Sequence, residues 1–197
     1  MARSDLGIFQ KKLEEGYALV FIDEAGYSLT SNRRRAWARH GLIPVMRHSF
    51  RSWRKLSAQS AIVVRKRGQQ YDVQLVWRLR PKTTVRSKQV IEFLHQCRAR
   101  VDGPALVIWD NSSTHKSKSV RQCFEALGWE RIQLPAYCPE FNPDENVWNW
   151  TKHQDMANAC PRNRAELIAN VRASLRRLAN HPSALQWARK NTELDWP

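Results

Sequence analysis

The chain has 197 residues, 42% of them hydrophobic, enough for one α/β domain with a buried core and too many for global disorder. Thirty-three Lys and Arg stand against eighteen Asp and Glu, a net charge of +15 that points to a polyanionic partner. No stretch is apolar enough to cross a bilayer, MARSDLGIFQ lacks a leader-like apolar core, and Cys97, Cys123, Cys138 and Cys160 form no CxxC pair. The sequence therefore argues against a membrane span, a secretory leader and a cysteine zinc site, and the expected setting is reduced and cytoplasmic.

Residues 6–15 read as a polar helix. Ala18 to Ile22 is a continuous apolar run followed by Asp23, Glu24 and a turn glycine, the pattern of a short buried strand. Residues 31–55 are basic, broken by Gly41 and Pro44, and read as a long loop or loose hairpin. Strands are expected over 57–66 and 71–79, joined by a turn at 67–70. The second alternates Tyr71, Val73, Leu75, Trp77 and Leu79 against mostly polar neighbours. Val90, Ile91, Phe93, Leu94 and Cys97 recur at helical spacing, so 87–99 is an amphipathic helix. Ala105 to Trp109 is a second buried-strand run, ending at Asp110. A helix over 116–127 stops at Gly128, and 130–134 forms a short strand. After a loop over 135–141, Asn142 and Pro143 open a helix reaching about Met156, since Asn caps well and Pro suits the first helical position. Residues 163–180 form a last amphipathic helix. This order predicts an α/β fold with a mixed sheet and helices packed on its faces.

Charge is unevenly spread. From Ala25 to Ile91 sixteen basic residues meet one acid, Asp72. Arg33, Arg34, Arg35, Arg39, Arg51, Arg54 and Lys55 are candidates for contacts to a phosphate backbone, which add affinity without sequence choice. Trp37 and Trp53 interleave them and could stack on unpaired bases. The plain alternative is a solvated basic face, with the tryptophans packed on the sheet or on a partner subunit.

Asp23 and Asp110 share one context, each the first acid after a buried run: ALVFIDE and ALVIWD. Carboxylates at the ends of neighbouring parallel strands sit where α/β sheets bind ligands. Two anions so placed repel unless a cation lies between them, and hard Mg²⁺ or Mn²⁺ suits oxygen donors. Each aspartate alone could merely end its strand. Glu145 is the third acid. Its place three residues after Asn142 fits a capping box as well as a metal ligand, and both readings stand.

FIDEAGYSL, LVIWDNSSTH and LPAYCPEFNPDENVWNWTK together resemble the Tc/mariner superfamily of transposases, in particular the bacterial group named for insertion sequence six-thirty. Asp110 and Glu145 are separated by 34 residues, the spacing of that superfamily, and RAWARHGLIP is similar to its Trp…Gly…Pro segment. The chain departs at Cys138, where Ser is usual, and at Phe141, where Leu is common. The resemblance implies a ribonuclease H-like fold with a mixed five-stranded sheet flanked by helices. It also implies that Asp23, Asp110 and Glu145 hold two divalent ions, Mg²⁺ or Mn²⁺, for cleavage and joining of DNA strands. Asn111 and His115 match the DN…H part of the motif, and His115 could support a ligand or contact phosphate. Glu24 should point away from Asp23, because neighbours on a strand face opposite ways, and is expected to act behind the site. Lys152, about two turns beyond Glu145, could reach a phosphate or stand in solvent. Trp148 is expected in the core.

The expected organisation is a helical lead-in over 1–16, a catalytic domain over 17–160, and a C-terminal helix and tail over 161–197 packed on the core. Such transposases carry a helix-turn-helix region that reads transposon ends, and sixteen residues before Tyr17 are too few for one. The expectation is a catalytic domain that works with a separate helix-turn-helix subunit or upstream reading frame, on DNA at the nucleoid, as a homodimer if two ends are joined. Two alternatives stay open: a nuclease of the same fold that does not join strands, and a non-catalytic DNA-binding remnant.

Overall fold

A computed structural model describes residues 3–30, 34–43, 45, 56–135, 138–192 and 194. Helix α1 (Arg3–Glu14) leads into β1 (Ala18–Tyr27). The hairpin β2 (Leu56–Arg67) and β3 (Gln70–Arg80) follows, then α2 (Ser87–Arg98), β4 (Ala105–Trp109), α3 (Lys118–Leu127) and β5 (Glu130–Gln133). The chain closes with α4 (Asp144–Trp150), α5 (Arg164–Ala179) and α6 (Pro182–Lys190).

The five strands form one mixed sheet in the order β3-β2-β1-β4-β5. The β1–β2 and β2–β3 pairs are antiparallel; β1–β4 and β4–β5 are parallel. Both faces are covered, which explains the unbroken apolar runs of β1 and β4. Leu19, Phe21, Leu56, Ile62, Leu106 and Ile108 pack on one face under α1, α4, α5 and α6. Val20, Val63, Val107 and Trp109 pack on the other under α2 and α3. Burial of these side chains is the main force holding the layers together, at roughly 1.5–3 kcal/mol for each large one.

The expected elements recur with two differences. The first concerns β1, which was expected to end at Ile22 and instead continues to Tyr27. Its pairing with β4 stops at Phe21↔Ile108, but its pairing with β2 continues to Tyr27↔Leu56, so the hairpin carries the strand past the acids. The second concerns the helix expected from Asn142 to Met156. It is α-helical only to Trp150 and widens into a π-helical turn over Thr151–Asp155. The Thr151 hydroxyl there is 2.6 Å from the Tyr27 hydroxyl, which ties this turn to the end of β1. Helix α6 was not expected; Pro182 starts it and the His181 ring caps it.

After β1 the chain leaves the sheet as an exposed arm. Asn158 holds its base: the Asn158 amide accepts from the Arg34 N–H (2.8 Å) and donates to the Arg34 carbonyl (3.1 Å). Asn158 adopts φ 55°, a left-handed conformation that Asn tolerates better than most residues. Among the described residues no helix is long and apolar enough to cross a membrane.

Candidate active site

Register places the two aspartates together. Phe21 pairs with Ile108, and Asp23 and Asp110 each lie two residues further along these parallel strands. Two residues preserve the face, so both lie on the side covered by α4. Leu134 carries the chain on from β5, and its N–H donates to the Trp109 carbonyl (2.8 Å). The following segment leads to α4 and Glu145. Asp23, Asp110 and Glu145 line one open cleft of about 510 Å³, with Leu134, Pro135 and Pro139 in its wall.

Glu145 is not spent on capping. The Asn142 N–H, which a capping box would give to Glu145, donates to the Pro139 carbonyl (2.9 Å). Asn142 does cap the helix, its side-chain oxygen accepting from the Asp144 N–H (3.1 Å). Glu145 lines the same cleft as Asp23, and its charge acts on that carboxyl. Burial raises its pKa and the Asp110 charge adds to this, while Lys152 pulls it back.

Asp23 is pushed up to about 7, first by burial and next by the charge of Glu145. The Trp148 indole N–H donates to its Oδ2 (2.9 Å) and partly offsets the rise. Two acids facing each other with raised pKa values are short of positive charge, the electrostatic mark of a place that favours a cation. Hard carboxylate oxygens suit Mg²⁺ or Mn²⁺. The donor chemistry thus fits, although among the described residues no three His, Cys, Asp or Glu side chains already form a closed metal cage.

Asp110 has partners of its own. Its Oδ1 is 2.9 Å from His115 Nδ1, and the Ser112 N–H also donates to it (3.0 Å). These contacts, His115 first, hold the Asp110 carboxyl below its ordinary range. The His115 ring is stacked on Trp109 with centroids 4.2 Å apart and planes 6° off parallel. Its other nitrogen, Nε2, lies 3.5 Å from Glu24 Oε1. Burial alone would depress His115, but Asp110 and Glu24 outweigh it and push it up to about 9. Glu24 therefore points to the opposite face from Asp23, as strand alternation requires, and meets the histidine from behind.

The other sequence candidates scatter. Asn111 lines the cleft. The Lys152 ammonium lies 5.6 Å from the Tyr27 ring centroid and lines a neighbouring pocket. Arg34, Arg35 and Arg39 are exposed on the arm, and Trp37 stands fully out of the protein at 103% relative exposure. Arg33, Arg51, Trp53, Arg54 and Lys55 lie outside the described residues. Two residues were given no part in the site from the sequence. Trp148 is in the core, as expected, but its N–H also holds Asp23. Asp144 is completely buried. A signal for it existed: Asp144, Val147, Trp148 and Thr151 follow the i, i+3, i+4, i+7 spacing of a buried helical stripe.

A ribonuclease H-like sheet carrying acids within β1, just after β4 and at the start of α4 defines the class. The chain belongs to the DDE superfamily endonuclease family, whose model matches residues 18–168. Among solved structures it is similar to Mos1 transposase in a paired-end complex with left transposon end, at 16% identity and TM-score 0.56, covering 97% of this chain and 62% of that one. The mariner Mos1 paired-end complex with Mg aligns at 15% identity and TM-score 0.62, covering 94% and 55% of the two chains. The Mos1 transposase catalytic domain with Raltegravir and Mn aligns at 17% identity and TM-score 0.55, covering 93% and 80%. These likenesses establish the ribonuclease H-like fold. The chain spans only 55–62% of the length of the first two of these transposases. Among curated proteins none matches the sequence.

Proposed function

We propose that this chain is the catalytic core of a transposase of the insertion sequence six-thirty branch, cutting and joining DNA strands with Asp23, Asp110 and Glu145 as ligands of two divalent ions. The observation that carries the reading is the convergence of these three acids on one open cleft at one end of the sheet. The 34-residue spacing and the NPDENVW segment support the branch. The catalytic unit spans 17–160, preceded by a helical lead-in over 1–16 and followed from 161 by an amphipathic helix packed on the core.

Ions bound at these carboxylates would make an attacking water or 3′-hydroxyl more acidic and stabilise the leaving oxygen. The chain's own residues prepare that chemistry. Asp23 and Glu145, both held above their ordinary pKa, would give up their protons and offer hard oxygens to an entering cation. His115, fixed by Trp109 and Glu24, aims Asp110. The basic arm with Arg33, Arg34, Arg35 and Arg39, and Arg51, Arg54 and Lys55 beyond it, holds the DNA backbone. Lys152 and Asn111 contact phosphate near the cleft, and Trp37 and Trp53 stack on bases at the transposon end. End recognition falls to a helix-turn-helix unit outside this sequence, and two copies of the chain pair two ends.

Glu145→Gln is the direct test. Gln keeps the shape of the residue but is a poor metal ligand. Folding should be nearly unchanged, while Mg²⁺- or Mn²⁺-dependent cleavage and joining of pre-cleaved ends fall to background. Cleavage that survives the substitution would overturn the assignment. Cleavage by the parent chain without joined product would instead favour a nuclease that does not transfer strands.

A further inference from the structure

Among the described residues, Asp144 is the fully buried acid that the proposed chemistry does not use. It is completely buried, and its Oδ1 has no hydrogen-bond partner among the described residues. A carboxyl group so placed costs stability unless its contacts serve some purpose. Helix initiation is not that purpose, because Asn142 already caps α4.

Its surroundings suggest another. Ser60 of β2 donates its hydroxyl to Asp144 Oδ2 at 2.6 Å. Ser60 is the register partner of Asp23 on β1, so the contact falls on the rung of the sheet that carries the first acid. The Asn142 side chain, just before, donates to the Ile22 carbonyl at 3.2 Å, on the residue preceding Asp23. The start of α4 is thus tied at two points, to the backbone beside Asp23 and to the side chain of its register partner on β2. Glu145 is the next residue after Asp144, so its backbone has little freedom relative to Asp23.

We infer that Asp144, held by Ser60, is a positioning residue that sets the separation of the Asp23 and Glu145 carboxylates for a divalent cation. This rests on the proposed metal site. Asp144 itself stays behind the sheet end and contacts neither ion nor DNA. The arrangement resembles outer partners of metal ligands in general, whose loss weakens metal binding about ten- to a hundredfold.

The test uses the full chain and Mn²⁺ alone as probe. Binding is read by calorimetry, thermal melting without metal is read separately, and Mn²⁺-dependent cleavage is followed over a concentration series. Ser60→Ala and Asp144→Ala should weaken Mn²⁺ binding by about ten- to a hundredfold. Cleavage should recover towards the parent level at high Mn²⁺. Asp144→Asn, which keeps an oxygen to accept from Ser60, should recover much of the affinity. If melting shifts but Mn²⁺ affinity does not in Ser60→Ala and Asp144→Ala, Asp144 is purely structural and the inference fails. Asp23→Asn, run in parallel, separates the two failures: unchanged Mn²⁺ binding there overturns the metal site itself, and the inference with it.

Discussion

The two sides of the cleft treat their acids in opposite ways. On the β4 side, Asp110 is 61% exposed and already has a cationic partner in His115, which is itself backed by Glu24 and stacked on Trp109. On the β1–α4 side, Asp23 and Glu145 act on one another with the buried Asp144 close behind, and the donors to Asp23 are neutral: the Glu24 backbone N–H and the Trp148 indole. One side is electrostatically satisfied by the protein. The other is left with an excess of negative charge, which only protons or a cation can relieve. A cation bound there would stabilise the fold by relieving that repulsion.

The largest effect should come from removing charge on the unsatisfied side. Asp23→Asn is expected to abolish Mn²⁺ binding in calorimetry while raising the melting temperature of the metal-free protein at pH 8, on the order of a few degrees. A lowered melting temperature would mean that Asp23 is not strained by its neighbours.

Next in size is the dependence on pH. Asp23 has its pKa raised from 3.8 to about 7, so the metal-free fold gains from its proton at low pH and loses that gain as pH rises through this window. Metal must displace the same proton. Mn²⁺ affinity should therefore climb by up to about tenfold per unit below pH 7 and level off above it. His115, raised from 6.5 to about 9, also gives stability that is present at low pH, but loses it across the higher window. Urea titrations over pH 4–10 should show two declines, the lower one missing in Asp23→Asn and the upper one missing in His115→Ala. A single decline in the parent protein would break the contrast between the two sides.

His115→Ala itself should cost about 2–4 kcal/mol of stability, because it empties space beside Trp109 and removes the partner of Asp110. Its effect on Mn²⁺ affinity should be about ten- to a hundredfold, as for other groups that orient a metal ligand. Trp148→Phe should have the smallest effect: the ring still fills the core, and loss of the N–H to Asp23 costs about 1 kcal/mol and shifts the lower pH window upward. An unshifted window would show that the indole contributes only packing.

Much of this site was legible in the chain. The apolar runs before Asp23 and Asp110 mark buried strands because a run without alternation needs both faces covered, and the motif spacing singles out Glu145. The opposite orientation of Glu24 followed from strand alternation alone. The extension of β1 to Tyr27 was not legible, because it depends on a hairpin strand that begins at Leu56, remote in sequence. Nor was the use of Glu145, since capping box and ligand place the same residue at the same position. It took the Pro139 carbonyl, which satisfies the Asn142 N–H, to leave Glu145 for Asp23.

The sequence by itself determined the acids, their order, the strands that carry two of them and the basic character of the surface, because local hydrophobic pattern and residue chemistry are properties of short segments. Only the tertiary structure decided how those acids are charged. That depends on burial and on neighbours brought from remote segments: His115 beside Asp110 and Glu24, Trp148 beside Asp23, and Ser60 beneath Asp144. Electrostatic energy follows distance in space rather than along the chain, which is why one side of the cleft is satisfied and the other is left in need of a cation.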